Sequence, residues 1–334
     1  MWAVLLRTCV QRAGSIVLTL VLATVITFGL QKLVPGDPAL AIAGEDATAQ
    51  RVAEIRADLG LDRPFVVQYL DWLRGAVTGD LGTTIRGDAS VWDLIGQRLP
   101  ATLTLAAVAL LFSIIIGVGA GVAAALRHGS KADTAVTAVA TLGVAVPNFW
   151  LGMVIVVVFG LTLNWLPVSG YALPWEDFAA WARHVTLPAI ALGTAGAAEI
   201  ARQVRSALVE VLRSDFIRTH RAKGLPQRAV VWRHAMKNAS LPLVTVVGLQ
   251  ISHLLGGTVV IESVFAIPGI GSLIVQSANQ RDYPVIQGVV FVTALLIILT
   301  NLAVDLVYRY VDPRIGVRPA RRAGLRRAQR GVTV

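Results

Sequence analysis

The sequence predicts an all-α integral membrane protein with six transmembrane helices and a folded extracytoplasmic loop after the first. Three observations carry this expectation. Of 334 residues, 55% are hydrophobic and only 15% charged, where a soluble domain carries about 25% charge. Several apolar stretches reach the ~20 residues needed to cross a bilayer. The Lys and Arg residues are gathered into a few segments between those stretches rather than spread evenly.

The first expected span runs from about Ala13 to Leu33. It is too long for a signal-peptide core and lacks a small-residue cleavage site, so it reads as an anchor. The second is Leu99 to Leu126. The third begins near Thr134 and ends near Trp165, before the turn signals Pro167 and Gly170. Pro147, with Gly143 and Gly152, is expected to bend it. The fourth starts near Val185 and is interrupted by Glu199 and Arg202, which sit three residues apart on one helix and are read as a pair. The fifth runs from about Leu241 to Ile261 and the sixth from Val285 to Val307.

Basic residues set the expected orientation. With both termini in the cytoplasm, twenty of the 30 Lys and Arg fall inside. Eight lie between Arg205 and Lys237, and eight more lie from Arg309 onward. The tail RPARRAGLRRAQRGVTV reads as a solvated flank touching anionic lipid, not as a nucleic-acid arm. The loop from Pro35 to Arg98 is net acidic and fits the outside. Within it, Val52, Ile55 and Leu59 share a helical face, and Pro64 opens a second helix with Phe65, Tyr69, Leu70 and Leu73 apolar. Ser90 and Asp93 suggest a capping box before a short helix ending at Pro100. This loop reads as a lid on the outer ends of the spans, with a docking surface as the alternative.

The basic stretch RTHRAKGLPQRAV, Arg218 to Val230, lies between spans four and five. Ser214 or Asp215 can start a helix there and Gly224 can end it in a left-handed conformation. Pro226 opens a second helix reaching about Asn238. A DNA-binding helix-turn-helix needs a third helix and its own core, and about 34 residues tethered at both ends leave little room for one. Two short amphipathic helices joined to spanning helices have instead the geometry of a lever.

At this point the chain resembles a known family. DFIRTHRAKGLPQRAVVWRHAMKNASLP is similar to the cytoplasmic coupling loop of ATP-binding-cassette importer permeases, and most closely resembles the B-type permease of dipeptide, oligopeptide and nickel importers. VPGDPA, LGLDRPFVVQYLDWL, GDLGTTI, RLPATLTL, VPNFWLG, ESVFAIPGIGSLI, RDYPVIQG and VDLVYRYVDPRI match the same family in order along nearly the whole chain. Arg218, Thr219 and His220 stand where the wider family has Glu-Ala-Ala, and Lys237 replaces a later proline.

The resemblance implies the type I permease fold of these importers. It divides the chain into an N-terminal cytoplasmic segment and first span (1–34), an extracytoplasmic helical loop (35–98), a permease core with five spans (99–308) containing the coupling loop (214–238), and a basic tail (309–334). It also implies a second homologous permease, two cytoplasmic ATPase domains that carry ATP and Mg, and an extracytoplasmic substrate-binding protein in a bacterial inner membrane. Asp215, Phe216, Arg218, Thr219, Arg221, Ala222, Lys223, Gly224 and Leu225 are then the expected ATPase-coupling residues.

A phosphate-binding P-loop needs Gly-Lys followed by Ser or Thr, and none of Lys32, Lys131, Lys223 and Lys237 follows a glycine. No HExxH or Gly-x-Ser-x-Gly pattern is present, and Cys9 is the single cysteine. The chain is therefore not expected to be an enzyme or to bind a cofactor or metal of its own. Glu262, ahead of the turn Pro268-Gly269-Ile270-Gly271, is read either as part of an outer gate or as a cap for that turn. His253 is read as a packed interior group, and is kept with Glu262, Pro268, Gly269 and Gly271 among the pore or gate candidates. An ion-coupled secondary carrier is the alternative function; it would commonly show inverted repeats, and spans one to three do not echo four to six.

Overall fold

The computed structural model describes residues 2–33, 38–44, 47–58, 60–85 and 87–311. The basic tail from residue 312, most of the VPGDPA motif and Leu59 lie outside the described residues.

Long helices dominate. α1 spans Trp2–Leu33, and α2 (Pro38–Ala43), α3 (Ala49–Asp58) and α4 (Phe65–Thr78) follow. A small antiparallel hairpin, β1 (Thr83–Thr84) and β2 (Gly87–Ser90), leads into α5 (Val91–Leu126). α6 (Lys131–Ala145) and α7 (Asn148–Ile155) precede α8 (Phe178–Leu212). α9 (Asp215–Ala222) and the single turn α10 (Gln227–Ala229) run through a π-helical turn, Val230–Ala235, into α11 (Met236–Val264). α12 (Ile270–Gln280) and α13 (Tyr283–Val311) complete the order.

The expectation of six spans is corrected. Among the described residues, four helical stretches are long and apolar enough to cross a membrane: Gly14–Leu33, Val91–Leu126, Pro242–Val264 and Tyr283–Val307. A fifth is reached only if α6 and α7 (with its continuation to Thr162) count as one span, broken by a bend of 101°. The break falls at Pro147. The residue before it, Val146, is extended with φ −80° and ψ 123°, as the proline ring requires of its predecessor.

The expected fourth span, α8, is not among them. Its 35 residues include Arg183, Glu199, Arg202, Arg205 and Glu210, and its apolar part is largely Ala and Gly. Those small residues serve helix packing more than lipid solvation. Ala191, Leu192, Ile200 and Leu208 of α8 are essentially fully buried. A Cβ on Gly117 or Gly121 of α5 would lie 2.7 Å from the carbonyl oxygens of Ala197 and Ala201, respectively. Ser113 of α5 donates from Oγ to the carbonyl of Gly193 at 2.7 Å and ties the two helices together. The expected Glu199–Arg202 pair forms at 3.0 Å.

One further boundary and one cap differ from expectation. The short helix before Pro100 and the second span are one 36-residue helix, α5, with Pro100 inside it. Proline is tolerated in such helices when neighbours and hydroxyls satisfy the freed groups; here Thr104 Oγ1 donates to the Pro100 carbonyl at 2.7 Å. Ser90 caps α5 by position without a side-chain hydrogen bond.

The core has three parts stacked along the bundle. Leu105, Ala109, Ile155, Leu192, Ile261 and Phe265 fill the middle. Val204, Leu208, Ile217, Val230 and Val231 fill the end that carries α9. Leu81, Val91, Ile95, Leu273, Val285 and Val289 fill the opposite end, under the hairpin and α12.

Candidate coupling surface and gate turn

At one end of the bundle, α9 begins after Ser214, which has extended backbone (φ −71°, ψ 154°), and stops at Lys223. Gly224 follows with φ +75°, a left-handed conformation that L side chains disfavour. Its amide donates to the Arg221 carbonyl at 3.0 Å. These bounds agree with the helix read from Ser214 and Gly224. The second helix does not end near Asn238 as read; it continues through Pro242 as α11.

The faces of α9 differ sharply. Asp215, Phe216, Arg218, Thr219, Arg221, Ala222, Lys223 and Gly224 are exposed, and Leu225 is half-buried. Ile217 is fully buried, in a cluster that also holds Leu208 of α8, Val122 of α5 and Val230 and Val231 of the π turn. Arg218 and Asp215 pair at 3.2 Å across an exposed surface, a contact of small energetic weight. The inward side also holds His220. Its ring stacks on His234 with centroids 4.0 Å apart and 23° between planes, and Phe216 meets it edge-on at 6.2 Å. Burial, with His220 and Arg233 beside it, holds the His234 pKa below the usual imidazole value.

Ile217 and His220 were missed as anchors, although their i,i+3 spacing on a helix of otherwise polar residues was available as a signal. A second contact was also missed. Asp133, buried at the start of α6, accepts from Nε and Nη2 of Arg205 in α8, the latter at 2.7 Å, and from the Gly129 amide at 2.9 Å. His128 lies 3.2 Å from the same carboxylate. Seventy-two residues separate Asp133 from Arg205, and nothing local in the sequence couples them.

At the opposite end, Glu262 is fully buried. Thr102 of α5 donates to its Oε1 at 2.6 Å, and the Ser272 amide donates to its Oε2 at 2.9 Å. Thr102 Oγ1 in turn accepts from the Ile270 amide at 2.8 Å. The carboxylate therefore binds the free N–H groups at the start of α12, where the helix dipole favours negative charge. Of the two readings left open for Glu262, capping of the turn is what the geometry displays. Gly269 and Gly271 are buried against it: a Cβ on Gly269 would come within 2.2 Å of the Glu262 carboxyl carbon. Pro268 is exposed beside them. His253 is exposed as well, so its reading as a packed interior group does not hold within this chain. Among the described residues, no group of three or more His, Cys, Asp or Glu is placed to hold a metal ion.

The chain is thus a helical protein with several membrane-length helices, a short basic helix rooted in its core at one end and a carboxylate-pinned turn at the other. Residues 114–317 match the family described as binding-protein-dependent transport system inner membrane component, and residues 5–106 match the description of its N-terminal part. The chain is 41% identical to the dipeptide transport system permease protein DppB of Alkalihalophilus pseudofirmus, over 93% of this chain and 99% of that one. It is 39% identical to DppB of Escherichia coli K12 over the same shares. Its fold is similar to an inward-facing structure of the MetNI methionine ABC transporter, with a TM-score of 0.53 and 21% identity over 65% of this chain and 96% of that one. The chain belongs to the family of binding-protein-dependent inner membrane components. Members work in assemblies of paired membrane components, ATPase subunits and a substrate-binding protein, and the chain is a multi-pass membrane subunit of that kind.

Proposed function

We propose that this chain is one of two permease subunits of an ATP-driven importer of dipeptides or oligopeptides, and that α9 receives the ATPase. The peptide class rests on similarity along nearly the whole chain to dipeptide permeases. The observation that carries the coupling role is the two-sidedness of α9. Asp215, Phe216, Arg218, Thr219, Arg221, Ala222, Lys223 and Gly224 form an open surface for a partner, while Ile217 and half-buried Leu225 root the helix among α5, α8 and the approach to α11. A load on that surface is passed to three long helices through packed side chains, which move as a body because the interior is close-packed.

In this reading α9 and both termini are cytoplasmic, as the distribution of Lys and Arg supports, and the binding protein approaches the end that carries α12. The path is formed with the second permease along α11. Thr245, Leu249, His253, Gly256, Val260 and Ser263 are all exposed and recur every three or four residues on one face of that helix. Four of the six, Thr245, His253, Gly256 and Ser263, are polar or small, and these suit a wet path better than lipid. Glu262, Pro268, Gly269 and Gly271 form the turn that closes it. Substrate-stimulated ATPase activity of the reconstituted complex tests the assignment. Gly224→Pro, or reversal of charge at Arg218 and Arg221, abolishes the stimulation; retention of both assembly and stimulation overturns the docking role of α9.

A further inference from the structure

Helix α4 has three distinct flanks. Phe65, Tyr69, Trp72 and Ala76 recur at helical spacing and face protein. The Phe65 and Tyr69 rings meet Phe28 of α1 edge-on at 5.3 and 5.8 Å, and Trp72 meets Phe291 of α13 edge-on at 6.0 Å. Tyr69 Oη and Thr24 Oγ1 share a buried hydrogen bond of 3.0 Å. About a quarter-turn away, Val66, Leu70 and Val77 make a second apolar flank, 61%, 54% and 76% exposed, with half-buried Leu73 at its inner edge. The remaining flank is polar. Gln68 accepts from Lys32 at 2.9 Å and Asp71 from Arg63 at 3.1 Å. Gln68 and Asp71 also line an open cavity of about 720 Å³ with Arg56, Asp58 and Asp62.

The depth of α4 follows from its partners. Thr24 lies nine residues from the end of α1 at Leu33, and Phe291 lies eight residues from the start of α13 at Tyr283. At 1.5 Å per residue these points sit roughly 12–14 Å inside the ends of the two helices. Both helices pass as membrane spans over those residues. The reach of a Tyr or Trp side chain does not lift α4 clear of that level. Over the same depth α1 presents exposed Ile26 and Leu30 on its far side, so outward-facing apolar side chains are found at this level on both helices. Of the two charged residues of α4, Asp71 lies off that flank and Arg74 sits at its edge, where a long side chain can reach the headgroups.

We infer that α4 is an interfacial helix. Its Val66–Leu70–Val77 flank is immersed in the lipid leaflet at the α12 end of the bundle, and its Gln68–Asp71–Thr78 flank faces water. Helices with one apolar and one polar side settle at this level, with the apolar face 5–10 Å into the headgroup and acyl boundary. The segment after α1 is then anchored to the bilayer as well as to the protein, and its binding surface is the hydrocarbon of the membrane rather than another polypeptide.

Collision accessibility of spin labels tests this in the full complex, reconstituted into phosphatidylethanolamine–phosphatidylglycerol vesicles on a Cys9→Ser background. Labels are placed singly by Val66→Cys and Leu70→Cys on the apolar flank and Thr78→Cys on the polar one. The expected result is a ratio of oxygen to nickel-chelate collisions several-fold higher at positions 66 and 70 than at 78. Equal ratios on both flanks would mean a helix in water and would overturn the inference. Protection of 66 and 70 from both probes would mean that protein covers the flank, and would overturn it equally. Val77→Cys replaces either apolar variant if that variant loses substrate-stimulated ATPase activity, so a failure to fold does not pass for an answer.

Discussion

His220 of α9 lies flat on His234 of the π turn, ring centroid to ring centroid 4.0 Å apart. The stack joins the exposed basic helix to the start of α11 at a point where a hydrogen bond would tolerate less sliding. It also makes the joint sensitive to protons. The folded state holds the His234 pKa below its ordinary value of 6.5, through burial first and then the nearby His220 and Arg233. An unfolded chain therefore binds more protons than the folded one just below pH 6.5, and stability rises with pH across that window. Stability is highest above pH 6.5 and falls as pH drops through it. Thermal denaturation of the purified complex between pH 8 and pH 5.5 checks this. The fall in Tm is smaller in His234→Gln, which keeps a planar polar group but does not titrate.

Ile217→Ala removes the one fully buried side chain of α9. A cavity at such a site costs about 2–5 kcal/mol, here charged against the docking of one short helix. The expected outcome is an assembled complex whose basal ATPase persists while its stimulation by loaded binding protein is lost. ATPase assays with and without that protein separate the two.

Gly224→Ala places a Cβ on a residue with φ +75°, where open space surrounds it. The cost is conformational rather than steric, about 1–2 kcal/mol. Gly269→Ala is different. Its φ is −104°, so no left-handed strain arises, but its Cβ would collide with the Glu262 carboxyl group. Gly269→Ala is therefore expected to lower the Tm of the complex more than Gly224→Ala does, as differential scanning calorimetry would measure.

Thr102→Val leaves the shape of the gate turn nearly unchanged but strands two groups, the Ile270 amide and one oxygen of Glu262. Each unsatisfied buried polar group costs about 1–3 kcal/mol. Thr102→Ser keeps the hydroxyl and restores most of the loss. Hydrogen exchange at the start of α12, faster in Thr102→Val and near normal in Thr102→Ser, checks the assignment.

Asp133→Ala breaks the clamp between α6 and α8. Removing one member of a buried pair costs about 3–5 kcal/mol, and Arg205, with its side chain 27% exposed, is partly rescued by solvent, so the low end is expected. Asp133→Ala with Arg205→Met is expected to be more stable than Asp133→Ala alone, as chemical denaturation of the purified complex would show.

Local chemistry was the part most readable in the sequence. Ser214 and Gly224 bracket α9 because a helix start and a left-handed stop are decided by a few adjacent residues. Glu262 could be placed at a turn because Pro268 and Gly269 punctuate the chain nearby. Pairing across distance was not readable. Asp133 meets Arg205 only once α6 has folded back on α8, and Thr102 reaches Glu262 across 160 residues. The count of spans failed for a related reason. α8 is made of small residues suited to the inside of a bundle, and hydropathy alone does not say whether an Ala-rich helix faces lipid or its neighbours. Pro100 misled in the opposite direction: it punctuates a sequence but does not interrupt α5.

α11 runs from Met236, just past the histidine stack, to the buried carboxylate, about 40 Å at 1.5 Å per residue. A rod of this kind cannot be retuned at one tip alone. On the proposed coupling role of α9, a twist introduced at the basic root of this rod reaches Glu262 as well, and motor grip and doorway tension are then inherited as one setting.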